Sequence, residues 1–232
     1  MNAILSTLPA WSIDSGKKRF APSGLNHLQH DYEVVTYPKG HILFQEGHSP
    51  WGLYFIQKGK VKLYKYGSDG KEQIIRIAGD QEFLGYTALL NDMKYHVSAA
   101  IIQDAMLTFI PRQDFLDTFG KDSQVAQHFT HLLCRDLVET EQRLVAQAYR
   151  PVRGRLAEAL LSLDNLYEQQ DSDEESFIKL SRHDLASFLG TAKETVIRLL
   201  SEFKSENLIT TDGQLISVLN PQGLLRISQM YE

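Results

Sequence analysis

Residues 180–209, "LSRHDLASFLGTAKETVIRLLSEFKSENLI", hold two short amphipathic segments joined at one glycine. Leu185, Phe188 and Leu189 recur at helical spacing behind Ser181, whose hydroxyl can accept from the free amides that open a helix. Gly190 supplies the turn. Thr191 and Glu194 have the T-x-x-E spacing of a capping box, which predicts a second helix opening at Thr191. On that helix Val196, Leu199, Leu200 and Phe203 form one apolar stripe, leaving Lys193, Glu194, Ile197, Arg198 and Ser201 outward. Downstream, "LITTDGQLISV" at 208–218 carries Asp212-Gly213, a pair expected at the tip of a hairpin. Two helices joined by a tight turn and followed by a hairpin make a winged helix-turn-helix.

The outward residues suit the major groove. A glutamate accepts from cytosine N4, and an arginine donates two bonds to guanine O6 and N7. Glu194 and Arg198 are four apart, so they share a face and are expected to hold one another in position. Charge is the counterweight, because the chain carries a formal net charge of −5. From residue 176 onward, Lys179, Arg182, Lys193, Arg198, Lys204 and Arg226 are balanced by Asp184, Glu194, Glu202, Glu206, Asp212 and Glu232. A near-neutral module should hold phosphates weakly alone and gain from pairing with a second copy.

The preceding segment offers the means of pairing. Residues 112–149 contain no proline and one glycine, Gly120. Ala126, Thr130, Leu133, Leu137, Thr140, Leu144 and Gln147 recur at alternating intervals of four and three, a heptad seam. A helix of about 25 residues is about 38 Å long, more than one small domain covers, so the seam predicts a dimer helix. Phe129, Leu132 and Val138 are expected to form the face turned to the chain's own domain. Pro151 marks a hinge at 149–151. A further helix follows through "RLAEALLSLDNLY", and "EQQDSDEES" at 168–176 reads as a solvated acidic loop.

Residues 32–110 read as β structure. "GLYFI", "KVKLYKY", "QIIRIA" and "AMLTFI" are rich in Val, Ile, Tyr and Phe. "QKGK" at 57–60 and "SDG" at 68–70 are expected turns, giving short strands at 8- to 12-residue spacing and an antiparallel roll. Tyr64, Tyr66 and Tyr95 are assigned to strands, and Trp51, beside Pro50 and Gly52, to a loop anchor. "FLGYTALLNDMKYHVSA" at 83–99 reads as a glycine turn, a short helical turn and another strand, one wall of a pocket.

In this order the chain resembles the catabolite activator and fumarate–nitrate regulator (CRP/FNR) superfamily along most of its length. The carrying residues are Tyr54-Phe55-Ile56-x-x-Gly59-x-Val61, Gly79-Asp80-x-x-Phe83-Leu84-Gly85, Gly154-Arg155-Leu156 and Leu185-Ala186-x-x-Leu189-Gly190-x-x-x-Glu194-Thr195-Val196-x-Arg198. The resemblance implies an α+β chain: an N-terminal double-stranded β-helix (jelly-roll) sensor at 1–120, a dimerisation helix at 121–149 and a winged helix-turn-helix at 150–232. It implies a homodimer reading a two-fold-symmetric operator on double-stranded DNA, with RNA polymerase as a further partner. Lys193, Glu194 and Arg198 take the base- and phosphate-reading positions, and Ser181, Thr191, Thr195 and Ile197 complete the candidate DNA-contacting set. Leu133, Leu137, Thr140 and Leu144 are the candidate dimer contacts.

Cyclic-AMP-binding members carry F-x-G-E-x-x-L, then Arg-Ser about ten residues on. Here the glutamate position is Tyr86, and His96 or Val97 stands for the arginine beside Ser98. A phosphodiester keeps its charge, and burying it without a cation is costly. Histidine is mostly neutral at pH 7. The expected pocket is lined by Gly85, Tyr86, Thr87, His96, Val97, Ser98 and Thr140, with no cofactor, a cyclic nucleotide disfavoured, and either another ligand or none in its place.

Other classes of protein fit the sequence less well. No apolar run approaches the roughly 20 residues that span a bilayer, and Met1–Arg19 lacks the order of a secretory signal, so a cytoplasmic, non-membrane protein is expected. Cys134 is the only cysteine, which excludes an intrachain disulfide, and is assigned to buried packing. His128-x-x-His131-x-x-Cys134 sweeps around a helix rather than converging and reads as surface polar residues. His27-x-x-His30 is no better placed. A cupin-like metalloenzyme needs clustered ligands, whereas His41, His48 and His96 are scattered; no catalytic or metal-binding residue is expected. A nucleotide-sensing adaptor acting on protein partners does not account for the recognition helix.

Overall fold

The computed structural model describes residues 32–168 and 177–230. The readings of Met1–Arg19, of His27 and His30, and of nearly all of the acidic loop at 168–176 lie outside the described residues. The N-terminal domain is an antiparallel roll built around two long strands, β3 (Gly52–Tyr66) and β6 (Ser98–Pro111). Around them run β1 (Val34–Tyr37), β2 (Ile42–Phe44), β4 (Glu72–Ala78) and β5 (Phe83–Leu84), in the order β1-β6-β3-β4 with β2 on β6 and β5 on β3.

The expected turn at 57–60 is absent, and β3 runs unbroken through it. Register shifts at Ile56/Lys58, Lys58/Lys60 and Lys60/Val61 absorb the irregularity as bulges. Gly59 is what permits this: its φ is +114°, and a Cβ there would lie 2.5 Å from Ala105. Two strands of 15 and 14 residues therefore replace the expected series of short ones. The 68–70 turn does form, with Gly70 at φ 76°. Tyr64 and Tyr66 lie in β3, but Tyr95 lies in the loop before β6, buried and stacked on Phe44 at 3.9 Å. Trp51 anchors nothing; its side chain is 82% exposed. Its carbonyl is the part engaged, accepting from the Arg112 amide.

Helix α1 (Tyr86–Leu90) follows β5, and α2 (Arg112–Lys121) follows β6. Helix α3 (Ser123–Tyr149) opens at Asp122, whose carboxylate accepts from the amides of Gln124 and Val125. At 27 residues it is about 40 Å long. Val125 and Phe129 plug the open end of the roll among Tyr32, Phe55, Phe83, Tyr86 and Phe115, with Leu132 packed at the edge. Val138 does not join them, because nine residues at about 100° each put it on the side of α3 opposite Phe129; it is half exposed. Cys134 is likewise exposed rather than buried, on the side of α3 away from Phe129. His128 is less of a surface residue than expected, lying edge-on to the rings of Phe83 and Phe129.

Pro151 interrupts the helix, with Arg150 extended between α3 and α4 (Val152–Glu168). The C-terminal unit continues with β7 (Ile178–Lys179), α5 (Arg182–Leu189), α6 (Lys193–Ser205), β8 (Ile209–Asp212), β9 (Leu215–Val218) and α7 (Pro221–Gln229). Strands order as β7-β9-β8; β7 and α7 have no counterpart in the sequence reading. Asp212 is still paired, with Leu215, so the hairpin tip is Gly213-Gln214, one residue beyond the expected pair.

The two domains share one apolar cluster. Tyr64, Ile74, Ile77, Ala100 and Ile102 of the roll pack with Leu156, Leu160, Leu163, Leu185, Leu189 and Val196 of the C-terminal unit. Polar contacts set the alignment. Lys62 lies 2.7 Å from Glu72 and 2.9 Å from Asp184 at the start of α5. Gly190, at φ 63°, closes α5 where a Cβ would meet Gln147 of α3 at 2.5 Å and Gln73 of β4 at 3.0 Å.

Burial alone would raise the Asp184 carboxyl, but Ser181 and Lys62 outweigh it and hold it below the usual range. A depressed carboxyl stabilises the fold above its unfolded value near pH 4 and loses that contribution as pH falls through the folded value. Asp184→Asn should therefore cost about 1–2 kcal/mol at pH 7 in urea unfolding. The difference from the native chain should shrink below about pH 4; a pH-independent difference would show that the ion pair is not its source.

Candidate DNA-binding face and sensor pocket

The helix-turn-helix forms around the residues the periodicity selects. Ser181 is the N-cap of α5: its hydroxyl accepts from the Asp184 amide at 3.0 Å and donates to the Asp184 carboxylate. Leu185 and Leu189 are buried, and Phe188 is partly so. On α6, Val196, Leu199, Leu200 and Phe203 are buried, whereas Lys193, Glu194, Ile197, Arg198 and Ser201 are exposed and Thr195 is half-buried.

Two local expectations fail. The N-cap of α6 is Ala192, not Thr191, and no side chain caps it. The left-handed Gly190 commits the Thr191 amide to the Ala186 carbonyl as part of the α5 terminus, so α6 turns in one residue later. Glu194 then falls at the second helical position, where a capping box cannot close. Nor does Glu194 hold Arg198. Arg198 turns the other way and pairs with Glu202, which Arg153 of α4 also contacts at 2.9 Å. Arg153 lies over the Phe203 ring and reaches Glu206 as well, so Glu202 is already in place for Arg198. The wing is braced by Arg182, whose guanidinium donates to the carbonyls of Gly213 and Gln214.

The pocket lies between β4, the β5–α1 turn and α3, with a volume of about 290 Å³. Gly85, Tyr86, Thr87, His96, Val97 and Thr140 line it as expected. Ser98 does not: its hydroxyl faces the opposite side and accepts from the Glu46 amide at 3.0 Å. Leu133 and Leu137 line its α3 wall and belong to the heptad seam as well. Thr140 donates its hydroxyl to the Asp136 carbonyl one turn back.

The group at the centre was not foreseen. Arg76 of β4 donates to both carboxylate oxygens of Asp136 on α3, at 3.1 and 3.0 Å, and pairs with Glu82. Tyr86 donates to the same Asp136 carboxylate. Desolvation opposes the Arg76 charge, but Glu82 and Asp136 outweigh it and hold the guanidinium above its ordinary range. Burial pushes the Tyr86 hydroxyl up to about 12, with Arg76 pulling it down and Asp136 adding to the rise. An arginine inside the apolar run "QIIRIA" was the available signal. Its partners lie 6 and 60 residues away, beyond any local pattern. His96 sits at the exposed rim, lowered by partial desolvation and by Lys65.

A roll closed by a long helix and joined to a winged helix-turn-helix with an exposed recognition face is the architecture of a DNA-binding regulator. The description of a cyclic nucleotide-binding domain matches residues 34–122, and that of a Crp-like helix-turn-helix domain matches residues 154–227. The cyclic AMP receptor protein of Thermus thermophilus is 30% identical over 189 residues, covering 82% of this chain and 85% of its own. The fumarate and nitrate reduction regulatory protein of Vibrio cholerae is 28% identical over 194 residues, 82% of this chain and 76% of its own. FixK2 from Bradyrhizobium japonicum shares the fold with a TM-score of 0.74 at 22% identity, over 87% of this chain and 99% of its own. The chain belongs to the CRP/FNR family. It is a transcription regulator with a helix-turn-helix DNA-binding domain, not an enzyme; regulators of this family bind DNA and commonly act as dimers. Among the described residues no helix is long and apolar enough to cross a membrane.

His96 should titrate below its ordinary value of about 6.5 and be neutral at pH 7. A histidine-selective NMR titration checks this; a midpoint above 6.5 would mean an acidic partner holds the imidazolium.

Proposed function

We propose that the protein acts in the cytoplasm as a homodimer that reads a two-fold-symmetric operator through α6 and answers to a ligand in the roll pocket. The observation that carries the DNA reading is the outward face of α6, where Ile197 is 45% exposed and Lys193, Glu194 and Arg198, the last paired only with Glu202 one turn on, are exposed around it. Arg198 and Glu194 are suited to guanine and cytosine edges, and Lys193 to phosphate. Ile197 offers an apolar contact of the kind that a thymine methyl takes. The absence of a side-chain cap on α6 leaves first-turn amides available to a phosphate at the positive end of the helix. Ser181, Thr191 and Thr195 flank this face, with Ser181 contributing chiefly through its cap.

Dimerisation is supported by the seam on α3. Leu137 is 60% and Leu144 70% exposed on a helix already anchored by Phe129, and a second copy would cover them. The pocket opens beside the same seam through Leu133, Leu137 and Thr140, so a ligand there can bear on how two copies pack. RNA polymerase is the further partner that a regulator of this family acts upon. The name of the Thermus relative specifies cyclic AMP for that protein; in this chain the pocket holds Arg76 paired with Glu82 and Asp136.

Arg198→Ala should weaken binding to a DNA site selected from a random pool by about 1–3 kcal/mol, with the fold and oligomeric state unchanged. Leu137→Glu should shift the dimer toward monomer in sedimentation and weaken DNA binding through lost pairing. Undiminished DNA binding by Arg198→Ala would remove α6 from the interface, and a dimer that survives Leu137→Glu would remove the seam.

A further inference from the structure

The walls of the roll pocket specify the charge of what it can hold. We infer that it selects an uncharged, predominantly apolar small molecule with one hydrogen-bonding group, and disfavours anions. This rests on the proposed role of the pocket as the effector site.

The first support is electrostatic. Arg76 stands where an anion would look for a partner, yet it faces two carboxylates, Glu82 and Asp136, within direct contact. The cluster of one cation and two anions carries a net charge of −1, and its side chains are only 17–24% exposed. An entering anion must break one of the two ion pairs of Arg76, Nη1 with Asp136 or Nη2 with Glu82, or sit beside two carboxylates in a poorly solvated space. Arg143, at the lower wall, is aimed elsewhere: it donates to the carbonyls of Ile75 and Phe188 and lies over the Phe188 ring at 4.3 Å. Glu139 lines the same wall and offsets its charge. His96 adds no cation at neutral pH, since its surroundings disfavour the imidazolium.

The second support is the remaining surface. Phe44, Leu63, Ile75, Leu84 and Val97 make most of the wall apolar. The Thr140 hydroxyl is spent as a donor on Asp136 but keeps lone pairs to accept with, and Thr87 lines the opposite side. A volume near 290 Å³ suits a compact ligand. The Arg76–Asp136 bridge also fastens β4 to α3 before any ligand arrives, so the ligand is not needed to supply that link.

Two dyes that differ chiefly by one sulfonate test the charge rule on the full-length protein: neutral N-phenyl-1-naphthylamine and anionic 1-anilinonaphthalene-8-sulfonate. Fluorescence titration should show saturable binding of the neutral dye at one per chain, at least about tenfold tighter than the anionic one. Ile75→Trp narrows the pocket at a partly exposed strand position and should weaken the neutral dye about tenfold or more. Glu82→Gln combined with Asp136→Asn frees Arg76 and should shrink or reverse the preference for the neutral dye. Equal or tighter binding of the sulfonate by the native chain, no binding of the neutral dye, or thermal stabilisation by cyclic AMP or cyclic GMP would overturn the inference. Neutral-dye binding that survives Ile75→Trp would place the dye on the exposed α3 seam and overturn it too. If the dyes behave as expected but leave DNA binding unchanged, the effector role fails while the ligand class stands. The absence of the charge preference sinks the ligand class whatever happens at DNA.

Discussion

The seating of α5 on β4 and on the end of α3 is the contact on which the rest of the molecule depends. Apolar burial supplies its strength, through Ile74 and Ile77 against Leu185 and Leu189. Its direction comes from polar groups that tolerate little displacement. Lys62 is shared between Glu72 of its own sheet and Asp184 of α5. Arg143 reaches the Phe188 carbonyl at one end of that helix, and Arg155 donates to the Leu189 carbonyl. Gly190 lets the chain turn where any side chain would strike Gln147. Once α5 is seated, Gly190 and Ala192 set the direction of α6, and with it the recognition face.

Helix α3 meets opposed demands along one length. Its first turns are an internal wall, with Phe129 fully buried in the roll. Its middle carries Asp136 into the Arg76 cluster on one side and Leu137 to solvent on the other. Its end supplies Gln147 and Arg143 to the junction with α5. A movement of α3 relative to the roll would therefore be felt at the pocket, the seam and the helix-turn-helix together. In the proposed function this shared helix is what would couple a ligand in the roll to the DNA-reading face.

The recognition unit was legible because its signals are local. Ser181 and its helix, Gly190 and the buried stripe of α6 are encoded within thirty residues, and all occur as read. The errors share a cause. Thr191 and Glu194 have the spacing of a capping box, but Gly190 had already claimed the Thr191 amide. "QKGK" has turn composition, but pairing with β6 on one side pulls it into a bulged strand. Trp51, Tyr95, Cys134 and Val138 were misplaced because composition does not say which side of an element finds a partner. The sequence showed Tyr86 at the family's glutamate position and His96 or Val97 at its arginine position. The pocket's charged centre was not legible, since Arg76 and Asp136 meet only when β4 and α3 pack.

What the sequence by itself determined is the order of parts and the class of protein: a β-rich roll, a helix with an apolar seam, and a winged helix-turn-helix. Periodicity, glycine turns and family motifs act over short spans, so they survive without knowledge of the fold. Tertiary structure alone decided the charge of the pocket, the partner of Arg198 and the docking of α5 against the roll. The first and last are contacts between groups far apart in the chain, and Glu202, though one turn from Arg198, is held in place by Arg153, 49 residues away. Their energies depend on distance and burial, which exist only after the chain has packed.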